Sequence, residues 1–155
     1  MPATAPTTTA YLSRLQRLSL LDGDGAVVGR VEDVVVVPST PGEPPPVIGF
    51  VVGTPGRRRI FVNGNKVADI DAGGVRLVQG MVDHRAFRKR DGELLARVDI
   101  IGRTVGGEVV GDLSIIPTPL GARAWQVHDV ALVVPGVLRR RRVGRTVPWK
   151  DLPEL

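Results

Sequence analysis

The sequence contains no cysteine among its 155 residues, which excludes a disulfide scaffold, a thiolate metal site and a cysteine nucleophile. Aromatic residues are scarce, at 4%, so a buried core must be aliphatic. No apolar run approaches the roughly 18 to 20 residues that a membrane-spanning helix needs. The opening MPATAPTTTA has neither the basic start nor the apolar stretch of a secretory signal. A cytoplasmic protein is expected. His84 and His128 are the only histidines, and two isolated histidines make neither a triad nor a zinc site. No serine lies in a GxSxG elbow, and Gly102, Gly106, Gly107 and Gly111 follow neither the GxxxxGK[ST] nor the GxGxxG order. The residues therefore suggest no catalytic group, no cofactor and no metal ligand, and the expectation is a protein that is not an enzyme.

What the chain has in quantity is valine, glycine and proline. Residues 27–37, VVGRVEDVVVV, hold seven valines, stiff side chains that suit a pleated strand. Val27, Val31, Val35 and Val37 alternate with Val28, Val34 and Val36, as in a strand covered on both faces. Nineteen glycines and 13 prolines divide the rest into short strands with many turns, so an all-β fold is predicted. Residues 1–10 are expected to be a disordered tail. A helical turn at Leu12, Leu15 and Leu18 runs into a strand at 18–21, and the turn DGDG at 22–25 follows. Asp22 and Asp24 belong to that turn rather than to a cation loop, which would need more acidic ligands. Strands are predicted at 47–52, 58–62, 67–71 and 75–78, with the proline loop 38–46 between the first two valine-rich strands. Residues 81–96 are charged and end in ELLA, a helix-forming run, so a connector with short helices broken near Asp91-Gly92 is expected. Strands resume at 98–105, 109–116, 125–134, 140–145 and 147–152.

The two halves repeat in order: strand, glycine turn, valine-rich strand with an aspartate, loop, apolar strand, turn, basic strand. Asp33 corresponds to Asp112. Adjacent Glu32 and Asp33 point to opposite faces and cannot act as a carboxylate pair, so both are assigned structural roles. Two small barrels in tandem are predicted, at 11–80 and 98–155, joined by a connector at 81–97. Trp149 is expected to plug the second barrel or cover the connector. The net charge of +5 is concentrated in arginine clusters at Arg57, Arg58 and Arg59, at Arg85, Arg88, Lys89 and Arg90, and at Arg139, Arg140, Arg141, Arg142 and Arg145. The first and last clusters occupy similar places in the two repeats, so Arg57 to Arg59, Arg88 to Arg90, Arg139 to Arg142 and Arg145 form the candidate interaction surface.

The stretch LLDGDGAVVGRVEDVVVV resembles the opening of a PRC-barrel domain, the fold of the photosynthetic reaction-centre H subunit and of the C-terminal half of the ribosome-maturation factor RimM. VIGFVVGTPGRRRIFV, the connector MVDHRAFRKRDGELLARVDIIGRTV and the ending VPWKDL are similar to an actinobacterial group. Its members carry tandem PRC-type barrels before a MgtE-type helical domain and paired CBS domains. The resemblance spans residues 11–152 and implies a non-catalytic regulatory module of a magnesium-homeostasis protein. The implied protein partner is the helical and CBS domains, in the same chain or another, with homodimers as a family habit. Since the family's ion-binding residues lie in those domains, the resemblance supplies no metal ligand here. Two alternatives share the basic charge: a RimM-like association with RNA or the ribosome, and a peripheral contact with anionic membrane.

Overall fold

A computed structural model describes residues 9–38, 40, 42–78, 85–118, 124–134 and 143–152. Ala10–Tyr11 (β1) leads into one α-helical turn, Leu12–Leu15 (α1), then Ser19–Leu21 (β2), Val27–Val36 (β3), Pro46–Gly53 (β4) and Arg59–Asn63 (β5). A 3-10 turn at Gly64–Lys66 connects to the hairpin Val67–Asp71 (β6) and Gly74–Leu77 (β7), and Arg85–Ala86 (β8) follows. The second half runs Leu94–Leu95 (β9), a π-helical turn at Ala96–Ile100, Thr104–Val105 (β10), Glu108–Pro117 (β11), Trp125–Val133 (β12) and Val143–Pro148 (β13). A 3-10 turn at Trp149–Asp151 closes it. The protein is all-β, a nearly closed barrel-like sheet. The longest path through that sheet is β1-β11-β12-β4-β3-β2-β7-β6.

The valine-rich strand β3 has partners on both edges: β4 along one, β2 and then β9 along the other. Val34, Val35 and Val36 are fully buried, whereas Val27 is 64% exposed. The simple two-face alternation expected for residues 27–37 is broken by a bulge that skips Glu32, since Val31 faces Val52 and Asp33 faces Val51. Such an extra residue shifts the alternation of the strand and sharpens its twist. The DGDG turn forms as expected, with Asp22 Oδ1 accepting the amides of Asp24 and Ala26 at 2.9 Å each.

The repeat is visible pair by pair. The counterpart bulge in β11 skips Gly111, with Val110 facing Leu132 and Asp112 facing Ala131. Ser19 pairs with Arg30 as Thr104 pairs with Val109, and Val62 pairs with Phe50 as Val147 pairs with Val130. The halves are also interlocked. β1 of the first half pairs with β11 of the second, Tyr11 opposite Ser114, and β9 of the second half pairs with β3 of the first, Leu95 opposite Val35. The bulge aspartates secure both crossings. Asp33 Oδ1 accepts the amide of Val34 and that of Arg97, each at 2.8 Å. Asp112 Oδ1 accepts the amides of Leu113 at 2.9 Å and Ser13 at 3.1 Å, and Asp112 Oδ2 accepts the Ser13 hydroxyl at 2.5 Å. α1 packs against both β3 and β11, and one buried aliphatic cluster contains residues of both halves. The predicted boundary at 81–97 thus divides the sequence, while the sheet and the core run across it.

The connector differs from expectation. Leu94 and Leu95 of the ELLA run form a strand, and the helical turn comes later, over residues predicted to open the strand at 98–105. Helix propensities differ by only a few tenths of a kcal/mol per residue, less than β9 gains by pairing with the open edge of β3. The π form of that turn has a counting reason. From Tyr11 to Leu18 the chain advances seven residues, and from Leu95 to Arg103 it advances eight between equivalent partners. The surplus residue is absorbed where Ile101 N–H reaches back five residues to Ala96 O, at 3.0 Å; Gln16 N–H reaches back four to Leu12 O.

Asp33 is 5% exposed, and burial pushes its carboxyl above the ordinary carboxylate range despite the opposing amides of Arg97 and Val34. Asp33→Leu leaves one buried and one partly buried amide without acceptors and is expected to cost roughly 2 kcal/mol or more in urea unfolding. Asp33→Asn keeps one oxygen for both and should cost much less. A carboxyl whose folded pKa is raised gains stability as pH falls through that pKa. The stability difference between wild type and Asp33→Asn should therefore move in the wild type's favour as pH falls toward the ordinary carboxylate range.

Candidate interaction surface

The strand β5 ends in an aromatic residue set among cations. Val62 points inward and is fully buried, so neighbouring Phe61 points to the other face and is half-buried there. Its ring lies across β4 over Gly49, the register partner of Asn63: a Cβ at Gly49 would come 2.3 Å from Phe61 Cζ and 2.5 Å from Val62 O. β8 adds to the outer edge of β5, pairing Ile60 with Ala86 and Phe61 with Arg85, and Phe87 N–H bonds Arg59 O at 2.9 Å. Beyond it, Arg90 and Glu93 close a turn, Arg90 N–H on Glu93 Oε1 at 2.8 Å and Glu93 N–H on Arg90 O at 3.1 Å. The result is a groove of about 410 Å³ lined by Ile48, Phe61, Asn63, Arg85, Ala86, Arg88, Lys89, Arg90 and Glu93. A smaller pocket of about 200 Å³ continues it past Phe61 to Lys66. The lining places Arg85, Arg88, Lys89, Arg90 and Lys66 against the single carboxylate of Glu93.

The predicted surface is thereby divided. Arg88, Lys89 and Arg90 come together in this groove. Lys89 also pairs with Asp99 at 3.3 Å. The Asp99 carboxyl lies below the ordinary range, chiefly because it accepts the Leu95 amide and secondarily because of Lys89. Arg59 is committed elsewhere: its Nε sits 3.0 Å from Glu32 Oε1. Glu32, the skipped residue of the β3 bulge, reaches across Gly53, where a Cβ would lie 2.0 Å from Glu32 Oε2. Arg57 lies in a tight turn with φ 62°, its amide bonded to Thr54 O at 3.0 Å. Arg145 binds Glu108 Oε1 through both Nε and Nη2 at 3.0 Å. Arg139, Arg140, Arg141 and Arg142, like His84, lie outside the described residues. His128 is 3.6 Å from Asp129 on the surface.

Sequence reading missed Phe61 and Lys66 as groove residues. The one available signal was the alternation in RIFVN, which turns Phe61 outward once Ile60 and Val62 turn in. Arg85 was visible in its cluster but was not singled out. A second cavity, about 300 Å³, lies where Trp149, Leu94, Ile100 and Arg103 meet Val36 and the proline loop. Trp149 is buried there beside the connector, as expected. Among the described residues no group of three or more His, Cys, Asp or Glu side chains could hold a metal ion, and no helix is long and apolar enough to cross a membrane. Compared with known protein-family models and with curated proteins, the sequence matches none.

Two substitutions test the local geometry. Gly49→Ala drives a methyl group into both the Phe61 ring and the β5 backbone, and thermal unfolding should show a loss of about 1–3 kcal/mol. Arg57→Gly relieves a left-handed backbone conformation that disfavours side chains. It should raise stability by a few tenths to ~1 kcal/mol in the same measurement.

Proposed function

We propose that this chain is a non-catalytic, protein-interaction module of the tandem PRC-barrel kind, serving a cytoplasmic MgtE-like protein of magnesium homeostasis. The observation that carries an interaction role is the groove beside Phe61, where Arg85, Arg88, Arg90 and Lys66 join Glu93 around a half-buried aromatic ring and Lys89 pairs with Asp99. An aromatic anchor rimmed by arginine is a common composition for a protein-binding hot spot. The positive field suits an acidic surface, which is what the ion-binding helical and CBS domains of the resembled family offer. The family reading rests on the sequence resemblance.

The test is calorimetric titration of the full chain with a recombinant MgtE-type helical domain and its CBS pair. Saturable binding is expected, weakened about tenfold or more by the triple change Arg85→Ala, Arg88→Ala, Arg90→Ala, a loss of ~1.4 kcal/mol. The three side chains are exposed, so the variant should keep the wild-type melting temperature. No binding at several hundred micromolar overturns the proposal. Phe61 among the arginines favours one second reading, stacking of a single-stranded RNA base. Polyuridylate binding with a steep salt dependence, lost in Phe61→Ala, would select that reading instead.

A further inference from the structure

The repeat shows which residues the fold itself needs at equivalent places. Arg103 O accepts the Val110 amide at 2.9 Å as Leu18 O accepts the Val31 amide at 3.1 Å. Arg103 therefore stands where the first half has Leu18, a partly buried side chain packed on the core. Trp149 opens the 3-10 turn after β13 as Gly64 opens the one after β5, each following the equivalent valines Val147 and Val62 by the same spacing. A leucine and a glycine thus suffice for the fold at these two positions. In the second half Arg103 and Trp149 stand there instead, and both line the cavity of about 300 Å³ beside the proline loop. Its other walls are aliphatic. Val36 and Ile100 are fully buried, Leu94 is half-buried, and Pro45 is pinned because its carbonyl accepts the Val127 amide at 3.0 Å. Pro38, Thr40 and Glu43 on the rim are exposed, so the cavity opens to solvent.

We propose that this cavity binds a small apolar α-amino acid. Arg103 Nε donates to Asp99 O at 2.7 Å, which holds the guanidinium and leaves its Nη groups for a carboxylate. No ion pair among the described residues takes those groups, and the neighbouring Asp99 carboxylate is engaged by the Leu95 amide and Lys89. Glu43 forms no ion pair among the described residues either, so the two opposite charges line one cavity without pairing with each other. A ligand that carries a carboxylate and an ammonium on one carbon satisfies both, and its side chain meets Trp149, Leu94 and Ile100. The volume lies at the small end of ligand pockets, which suits a single amino acid and excludes a nucleotide or a peptide. The walls come from both halves of the chain, so the occupant would tie the proline loop to the connector. The cavity and the groove at Phe61 have no described lining residue in common, and the two readings are independent.

The test is titration of the full chain with L-leucine and L-phenylalanine, read by calorimetry and by the Trp149 indole N–H signal in NMR, assigned through its loss in Trp149→Phe. Saturable binding with a dissociation constant of about 1 mM or tighter is expected, with the Trp149 signal shifted. Arg103→Leu, a change to the side chain that the first half carries at this place, should keep the wild-type melting temperature and weaken binding at least about tenfold. On the wild-type protein, isoamylamine, which is leucine without its carboxylate, should not bind. Isocaproate, which is leucine without its ammonium, should bind more weakly than leucine. Glu43→Gln, on the exposed rim, should weaken leucine and leave isocaproate unchanged. An unmoved Trp149 signal at about 10 mM amino acid overturns the inference, as does leucine binding that survives Arg103→Leu or isoamylamine binding as tight as that of leucine. Isocaproate binding as tight as that of leucine overturns the amino-acid assignment in favour of a simple carboxylate. The ligand series needs no substitution, so it decides the matter even where a variant fails to fold.

Discussion

The structure depends on two bulge aspartates that bind across the repeat. A bulge skips one residue and leaves nearby amides out of the ladder. In β3 the Asp33 carboxylate accepts the next amide of its own strand and, with the same oxygen, the amide of Arg97 from the other half. In β11 Asp112 does the same with Leu113 and Ser13. Hydrogen bonds to a charged acceptor contribute about 1.5–3 kcal/mol each, which matters greatly to β1 and β9, strands of two residues apiece. Bulge, carboxylate and crossing strand form one device, used twice. The cost is the burial of the Asp33 charge, which appears as its raised pKa.

Because each half opens with a segment seated on the other, neither half has a self-contained core. α1 brings Leu12 and Leu15 into the shared cluster, and the π-helical turn brings Ala96 and Ile100. Burying each of these leucine and isoleucine side chains contributes about 1.5–3 kcal/mol, and the alanine methyl less. The interlock therefore supplies a sizeable share of a stability that is small in total for any domain. The symmetry is incomplete in an informative way. Among the described residues, the first half is finished by β6–β7 and β8, whereas the matching edges of the second half carry an ion pair and a cleft. The arginines follow the same division, with Arg59 and Arg145 held by glutamates and Arg85, Arg88 and Arg90 gathered around Phe61.

Strand existence was readable along most of the chain, because β-branched runs and glycine or proline turns are local signals. The strands at 47–52, 67–71, 109–116 and 125–134 appear within about two residues of their predicted ends. The connector was not readable: Leu94 and Leu95 have helical preferences, and only the open edge of β3, some sixty residues earlier, makes them a strand. The groove was half readable. Its arginines were visible as a run, but Phe61 and Lys66 join them only because β8 folds back onto β5.

The sequence by itself determined the all-β class, the turns, the order of the repeat and the equivalence of Asp33 with Asp112. These follow from side-chain shape, backbone freedom and spacing, all of which act between near neighbours. Only the tertiary structure decided that those aspartates bind the opposite half, that the Asp33 carboxyl is buried, and which arginines gather beside Phe61. Those outcomes depend on which strand edges meet, and edge pairing is settled by long-range burial and hydrogen-bond satisfaction that no local pattern encodes.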